Sequence, residues 1–462
     1  MSRRERIYSV LVERNQDTEQ ELPEGVRHNI ARNGLRLVSA SALQASGDQT
    51  VNASTVLPWL FHALGVPSAL VGVLVPVRES GSMLPQALLT PLILRARQRK
   101  WVFVLGSLVQ ALAVAVMAGT AALGHGVAAG VAIVAALAVF SLGRCLCSVS
   151  TKDVQGRTVP GGERGQINGL ATTASGLVAI TLGLGIRFFG GQDLEAGQLV
   201  WVLAAGAALW VAVAWIYAGL REPSGSDGGQ SSGSADPAGT PAGDAGDGEA
   251  SGGDSTEQPG WFGRTYRMLR ADRTFRHFVA VRGFLLVSAL SPPFVVTLST
   301  QYGTTGLGGL GGYIIASGVA ALLGGRIFGR LADRSSRTLM SVGAAFASAV
   351  TLALVLVVSW PGFTGDAGWS SGLFITCYFL LTLTHIGVRV ARKTYVVDMA
   401  EGDRRTTYVA VSNSALGIVL LVVGGISSLL ALLGVVWALV FLAALGLVGV
   451  VAGSRLPEVS RG

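Results

Sequence analysis

The chain has 462 residues, half of them hydrophobic and only 13% charged, with a mean hydropathy of +0.53; a soluble globular protein carries about twice that charge fraction. This composition excludes a soluble domain and points to an integral membrane protein. The net charge of +8 falls almost wholly on one set of connections between apolar segments, so it reports orientation across a bilayer and no nucleic-acid partner is expected.

Residues 1–34 are polar and contain no apolar core followed by small residues, so no cleaved signal peptide is expected. The first apolar segment, 35–60, is long enough to cross a bilayer yet carries Ser41, Gln44, Asp48, Asn52 and Thr55. On a continuous helix these form one stripe, with Leu43, Ala53 and Leu57 pointing elsewhere. A carboxylate near the bilayer centre costs at least ~2.5 kcal/mol, so Asp48 is expected to face a partner or a water-filled cavity.

Further apolar segments fall at 67–94, 101–122, 127–148, 168–189, 199–220, 277–300, 307–328, 338–360, 370–388, 409–431 and 434–452. Breaks at Gly124-His125-Gly126 and near Leu433-Gly434 split two runs too long for one helix each. Twelve spanning helices are predicted. Their connections alternate: Arg95, Arg97, Arg99, Lys100, Lys152, Arg157, Arg164, Arg330, Arg334, Arg337, Arg389 and Arg455 share one side with the N-terminal arginines, and Arg187 is nearly alone on the other. The even count and this asymmetry place both termini in the cytoplasm.

The second segment holds adjacent Arg78 and Glu79, with Ser82 and Gln86 continuing the Arg78 face. Arg78 is the expected partner of Asp48, and Glu79 is then the spare, protonatable acid. Residues 221–276 form a linker, acidic and rich in Gly, Ser and Pro up to Gly260, where disorder is expected. Trp261, Phe262 and Tyr266 then alternate with Arg264, Arg267 and Arg270 in a predicted interfacial helix. The linker divides the chain into a bundle over 35–220 and a bundle over 277–452, with a tail at 453–462. Gly34-x-x-Leu37-Val38-Ser39-Ala40 returns as Gly283-x-x-Leu286-Val287-Ser288-Ala289, an echo expected of internal duplication. Arg282 and the Pro292-Pro293 pair put a charge and an expected kink in the seventh segment. His385 and Arg389 lie at the inner end of the tenth.

Trp59, Trp201, Trp360 and Trp369 at outer ends, and Trp101 and Trp215 at inner ends, read as interfacial anchors. Cys145, Cys147 and Cys377 read as packing residues, since their number and spacing suit neither a disulfide framework nor a metal site. Lys100, Lys152 and Lys393 do not follow a glycine, so no phosphate-binding P-loop is present. The glycines at 306, 308 and 311 follow no strand, and helix packing is the better reading of them. No cofactor or metal is expected.

The stretch Gly329-Arg330-Leu331-Ala332-Asp333-Arg334-Ser335-Ser336-Arg337 resembles the G-x-L-A-D-R-x-G-R signature of the major facilitator superfamily, with Ser336 in place of the usual glycine. It joins the eighth and ninth predicted helices, the corresponding place in the second half. The resemblance implies an all-α membrane fold of twelve transmembrane helices in two six-helix bundles, and a conformational gating role for Gly329, Asp333, Arg334 and Arg337. The first-half counterpart keeps the basic cluster but has Leu94 where the family's acid stands, and the fifth segment lacks the glycine-proline pair of drug antiporters.

The expected activity is secondary active transport of a small organic or amphiphilic solute across the cytoplasmic membrane of a bacterial cell, coupled to protons and directed to export. Asp48, Gln44, Asn52, Arg78, Glu79, Gln86 and Arg282 are the expected substrate- and proton-binding residues. The protein is expected to be a monomer with the small-molecule substrate, protons and the lipid bilayer as its partners. A non-transporting member of the same fold, acting as a sensor, assembly factor or lipid scramblase, is the alternative. An enzyme is not expected, because no nucleophile, base and ligand set clusters in the sequence.

Overall fold

The computed structural model describes residues 29–86, 96–189, 196–222, 273–303, 307–365, 369–399 and 404–457, with isolated positions before 29 and at 89 and 93. Most of the linker and the predicted interfacial helix around Trp261 lie outside the described residues, as do the side chains of Gly329, Asp333, Lys393 and 404–410. The described residues form helices and connections, without a strand. In chain order the α-helices are α1 Ile30–Thr50, α2 Val56–Ala63, α3 Leu74–Met83, α4 Arg99–Leu123, α5 Gly126–Thr158, α6 Gly161–Phe189, α7 Ala196–Ala218, α8 Arg273–Phe284, α9 Val287–Gln301, α10 Leu307–Arg334, α11 Ser336–Val358, α12 Ser370–Met399, α13 Arg404–Leu433 and α14 Val435–Ser454; a 3-10 turn, Ser68–Val73, precedes α3.

Eight stretches among the described residues are long and apolar enough to cross a membrane. Their outward faces carry exposed Leu112, Trp201, Leu356 and Leu432, as expected where hydrocarbon is the solvent. The expected breaks occur where glycine permits them: Gly126 opens α5 at φ +65, and Gly434 parts α13 from α14 at φ +138.

Four expectations need correction. The first apolar segment is not one helix: α1 stops at Thr50 and α2 starts at Val56. Asn52 makes the break, because its Oδ1 accepts from Ser54 N (2.8 Å) while its carbonyl accepts from Thr55 N and Leu57 N. Short polar side chains compete for backbone partners in this way, and Asn52 and Thr55 therefore leave the Asp48 stripe. Second, the seventh segment breaks at Leu285-Leu286, with Pro292 and Pro293 inside α9. A proline ring crowds the carbonyl four residues earlier, which moves the disturbance back toward the break. Third, the signature stretch is helix through Arg334, with Ser335 as the only residue between α10 and α11. Ser335 caps α11 by accepting from Thr338 N (3.2 Å). Fourth, Trp59 is no interfacial anchor. It is fully buried and packs on Tyr313, ring centroids 5.9 Å apart.

That contact belongs to a seam between the two halves of the chain. One apolar core includes Trp59, Phe140 and Trp210 from the first half with Phe294, Tyr313, Tyr378 and Leu420 from the second. Towards the basic helix ends the cores separate. One holds Leu37, Phe103, Val154 and Tyr217, the other Phe278, Met340, Tyr395 and Leu456. The seam is tight where α6 crosses α10: a Cβ on Gly183 would lie 2.9 Å from the Gly311 carbonyl oxygen, and one on Gly311 would lie 2.6 Å from that of Gly183. The glycine at 311 thus serves close helix packing.

Candidate functional site

Three helices converge on one carboxylate at the level where the shared core gives way. Asp48, in the last turns of α1, receives Arg78 Nη2 of α3 on Oδ1 at 3.0 Å. Arg144 of α5 places Nη1 2.7 Å from both Oδ1 and Oδ2. The side chains are 20%, 12% and 30% exposed, so the cluster is largely withdrawn from solvent. Charge-assisted hydrogen bonds of this kind are about twice as strong as neutral ones. Two cations on one anion leave an excess of positive charge.

Glu79 supplies the second acid. It is half-buried, and its charge acts on Arg78 and Arg144, yet its carboxylate has no hydrogen bond or ion pair among the described residues. The next residue explains its position: Ser80 Oγ donates to Gly417 O of α13 at 2.7 Å, which pins α3 to the second half.

Gln44 lies one turn before Asp48 and is half-buried. Gln86 lies beyond α3, which ends at Met83. Ser82 turns its hydroxyl onto Glu79 O at 2.9 Å. Arg282 stands apart from Asp48, on α8, where it donates to Ser412 Oγ and to Asn413 Oδ1 at 2.8 Å. In the gating stretch, Arg334 is exposed and Arg337 Nη1 donates to Leu456 O at 3.1 Å.

A second charge cluster sits at the basic end of the first half. Arg99 Nε donates to Asp153 Oδ2 at 2.6 Å, and Arg157 Nε lies 3.4 Å from Asp153 Oδ1. The buried Glu222 carboxylate accepts from the backbone N–H of Arg99 (3.1 Å) and of Lys100 (2.9 Å), closing the first turn of α4, whose own Gln98 caps nothing with its side chain. Its acids are Asp153, near the end of α5, and Glu222, beyond the end of α7.

Sequence reasoning missed Arg144, Asp153, Glu222 and Arg392. Arg144 was findable, since an arginine inside the predicted 127–148 span is as costly there as Asp48. Arg392 passed for a loop cation because the tenth span was expected to end at 388, whereas α12 continues to Met399.

A family profile described as Major Facilitator Superfamily matches residues 38–391. The fold is similar to solved structures at low identity. A POT family transporter in complex with a thioalcohol-conjugated peptide superposes with TM-score 0.64 at 14% identity, covering 94% of this chain and 98% of that one. A D-xylose-proton symporter gives 0.63 at 13% identity, covering 93% and 98%. The inward-open xylose transporter XylE from E. coli gives 0.60 at 10% identity, covering 93% and 97%. No curated protein sequence matches the chain.

Proposed function

As the chain belongs to the major facilitator superfamily, we propose that it is a proton-coupled secondary transporter of a small organic solute, working by alternating access. The reading takes twelve spans in two six-helix bundles, 35–220 and 277–452, with both termini cytoplasmic by the distribution of Arg and Lys. The shared core at one end and separate cores at the other support a state closed outward and parted toward the cytoplasm.

The observation that carries the coupling is the division of labour between the two acids. Both oxygens of Asp48 are engaged by Arg144 and one also by Arg78, so Asp48 orients the two guanidinium groups. Glu79, next to Arg78 in the chain and without a hydrogen bond or ion pair among the described residues, is the acid that takes the proton. Neutralising Glu79 removes a negative charge beside Arg78, and the two conformations then differ in energy by the state of one proton. Asp333, Arg334 and Arg337 hold the second-half cytoplasmic clamp, while Arg99, Asp153 and Glu222 hold the first-half one. Gln44, one turn before Asp48, is a further solute-binding side chain in this reading.

The solute is identified by a thermal-shift screen on purified protein, since a ligand of the native state raises its melting temperature. Flux of that solute in proteoliposomes with a trapped pH dye then tests the coupling and reads its direction, for which no single residue speaks. Solute movement accompanied by proton movement supports transport. A folded protein with no flux moves the chain to the sensor, assembly-factor or scramblase reading.

A further inference from the structure

Among the described residues, the buried arginines of the first half are paired with carboxylates and those of the second half are not. The described ion pairs with both partners given all lie between residues 48 and 222. Among residues 273–457 the sequence has acids only at Asp333, Asp366, Asp398, Glu401 and Asp403, with Asp333 and Asp398 at the ends of α10 and α12. Yet Arg282 and Arg392 are buried, 7% and 6% exposed, on helices that meet where Phe278 of α8 stacks on Tyr395 of α12, ring centroids 4.9 Å apart. Arg282 has only neutral acceptors, Ser412 Oγ and Asn413 Oδ1, and its Nε has no partner. Arg392 has no hydrogen-bond partner among the described residues, and its Nε and Nη1 are out of reach of solvent. His385 and Arg389 stand on the same face of α12, two turns and one turn back, and His385 Nδ1 is also buried and unpartnered.

A buried guanidinium without a counter-ion is strongly unfavourable, and chains keep one only where something else supplies the anion. The planar fork of arginine matches the paired oxygens of a carboxylate or phosphate. We propose that Arg282 and Arg392, flanked by Ser412 and Asn413, bind the anionic group of the solute, a carboxylate or phosphate ester. The occupant's being a transported solute rests on the transport reading above; the anion site itself does not. A seated anion offsets the charge of the arginine pair, and Glu79 lies on α3, which Ser80 ties to α13, so its charge repels the anion across the seam. Loading the proton on Glu79 removes that repulsion, so proton and anion favour each other's binding.

The test is thermal denaturation of the full-length protein, purified in lipid-free detergent, with inorganic phosphate, succinate or uncharged xylose, each compared with chloride at matched ionic strength. Phosphate or succinate is expected to raise the melting temperature saturably and xylose is not. Arg392→Gln and Arg282→Gln are expected to weaken the apparent affinity roughly 10- to 100-fold, with Arg392→Lys, which keeps the charge but loses the fork, in between. Arg392→Gln is also expected to melt higher than wild type without anion, because it removes an uncompensated charge; a structural arginine would give the opposite. An anion shift that survives both glutamine variants, or no shift by either anion in wild type, overturns the proposal. So does a shift by added phosphatidylglycerol alone, which assigns the site to a lipid headgroup. Anion binding without flux in proteoliposomes counts against the transport reading and leaves the site standing, whereas flux confined to uncharged solutes does the reverse.

Discussion

Arg144 reaches from α5 to set one Nη1 2.7 Å from both oxygens of Asp48 on α1, so the polar centre of the first half is held by a bridge that the local sequence around Asp48 does not contain. Asp48→Asn leaves both Arg144 and Arg78 without their anion. Breaking a buried pair in this way typically costs ~3–5 kcal/mol, and a marked fall in melting temperature is expected. Adding Arg144→Gln should recover part of the loss and adding Arg78→Gln more of it, because each removes a stranded charge. A single mutant that melts like wild type contradicts the tethering role.

The crossing of Gly183 and Gly311 holds the halves together at the end away from the basic residues. Gly311→Val places a Cβ 2.6 Å from the Gly183 carbonyl oxygen, and overpacking of this kind costs about 1–3 kcal/mol. The variant is expected to fold, lose most transport and populate a state parted at this end. Ser68→Cys, at a position whose hydroxyl meets Ala431 O across the seam, should label faster with a thiol reagent in the Gly311→Val background. Equal labelling rates count against the seam as a gate.

Glu222 acts at a distance in sequence on the first turn of α4. Glu222→Ala leaves the N–H groups of Arg99 and Lys100 unmet in a buried place, for an expected loss of ~1–3 kcal/mol, read as a lower melting temperature. Since the carboxylate is fully buried, added salt should do little to mimic the mutation. A wild-type melting curve for this variant sinks the capping assignment.

Asp333→Asn keeps the shape of the side chain and removes one charge of the family signature. Reduced solute flux at unchanged melting temperature is expected. Wild-type flux shows that the stretch 329–337 has no gating role in this protein.

Composition and segment length were enough to read an all-helical membrane protein, because apolar runs and glycine breaks are local properties of the chain. The Asp48–Arg78 pair was legible for the same reason: both charges stand out in apolar segments. Arg144 stands out equally, but it lies near the end of the predicted 127–148 segment. The turn at Asn52 was not legible, since it depends on a side chain outcompeting the helix ladder by a small margin. Trp59 misled because a tryptophan near a span end suits a lipid interface and a seam between bundles equally well, and only the partner, Tyr313, decides. The uncompensated state of Arg282 and Arg392 needed the fold, which brings α8, α12 and α13 together.

The division of labour between the two acids is tested most directly by Glu79→Gln, which imitates a permanently protonated carboxyl without stranding a bonded partner. For the solute found by thermal shift, two fluxes are measured in the same proteoliposomes: exchange against an equal internal pool, and accumulation driven by an imposed pH gradient. The account predicts that Glu79→Gln keeps exchange and loses gradient-driven accumulation. Accumulation at the wild-type level in Glu79→Gln would contradict it and return the proton to another group.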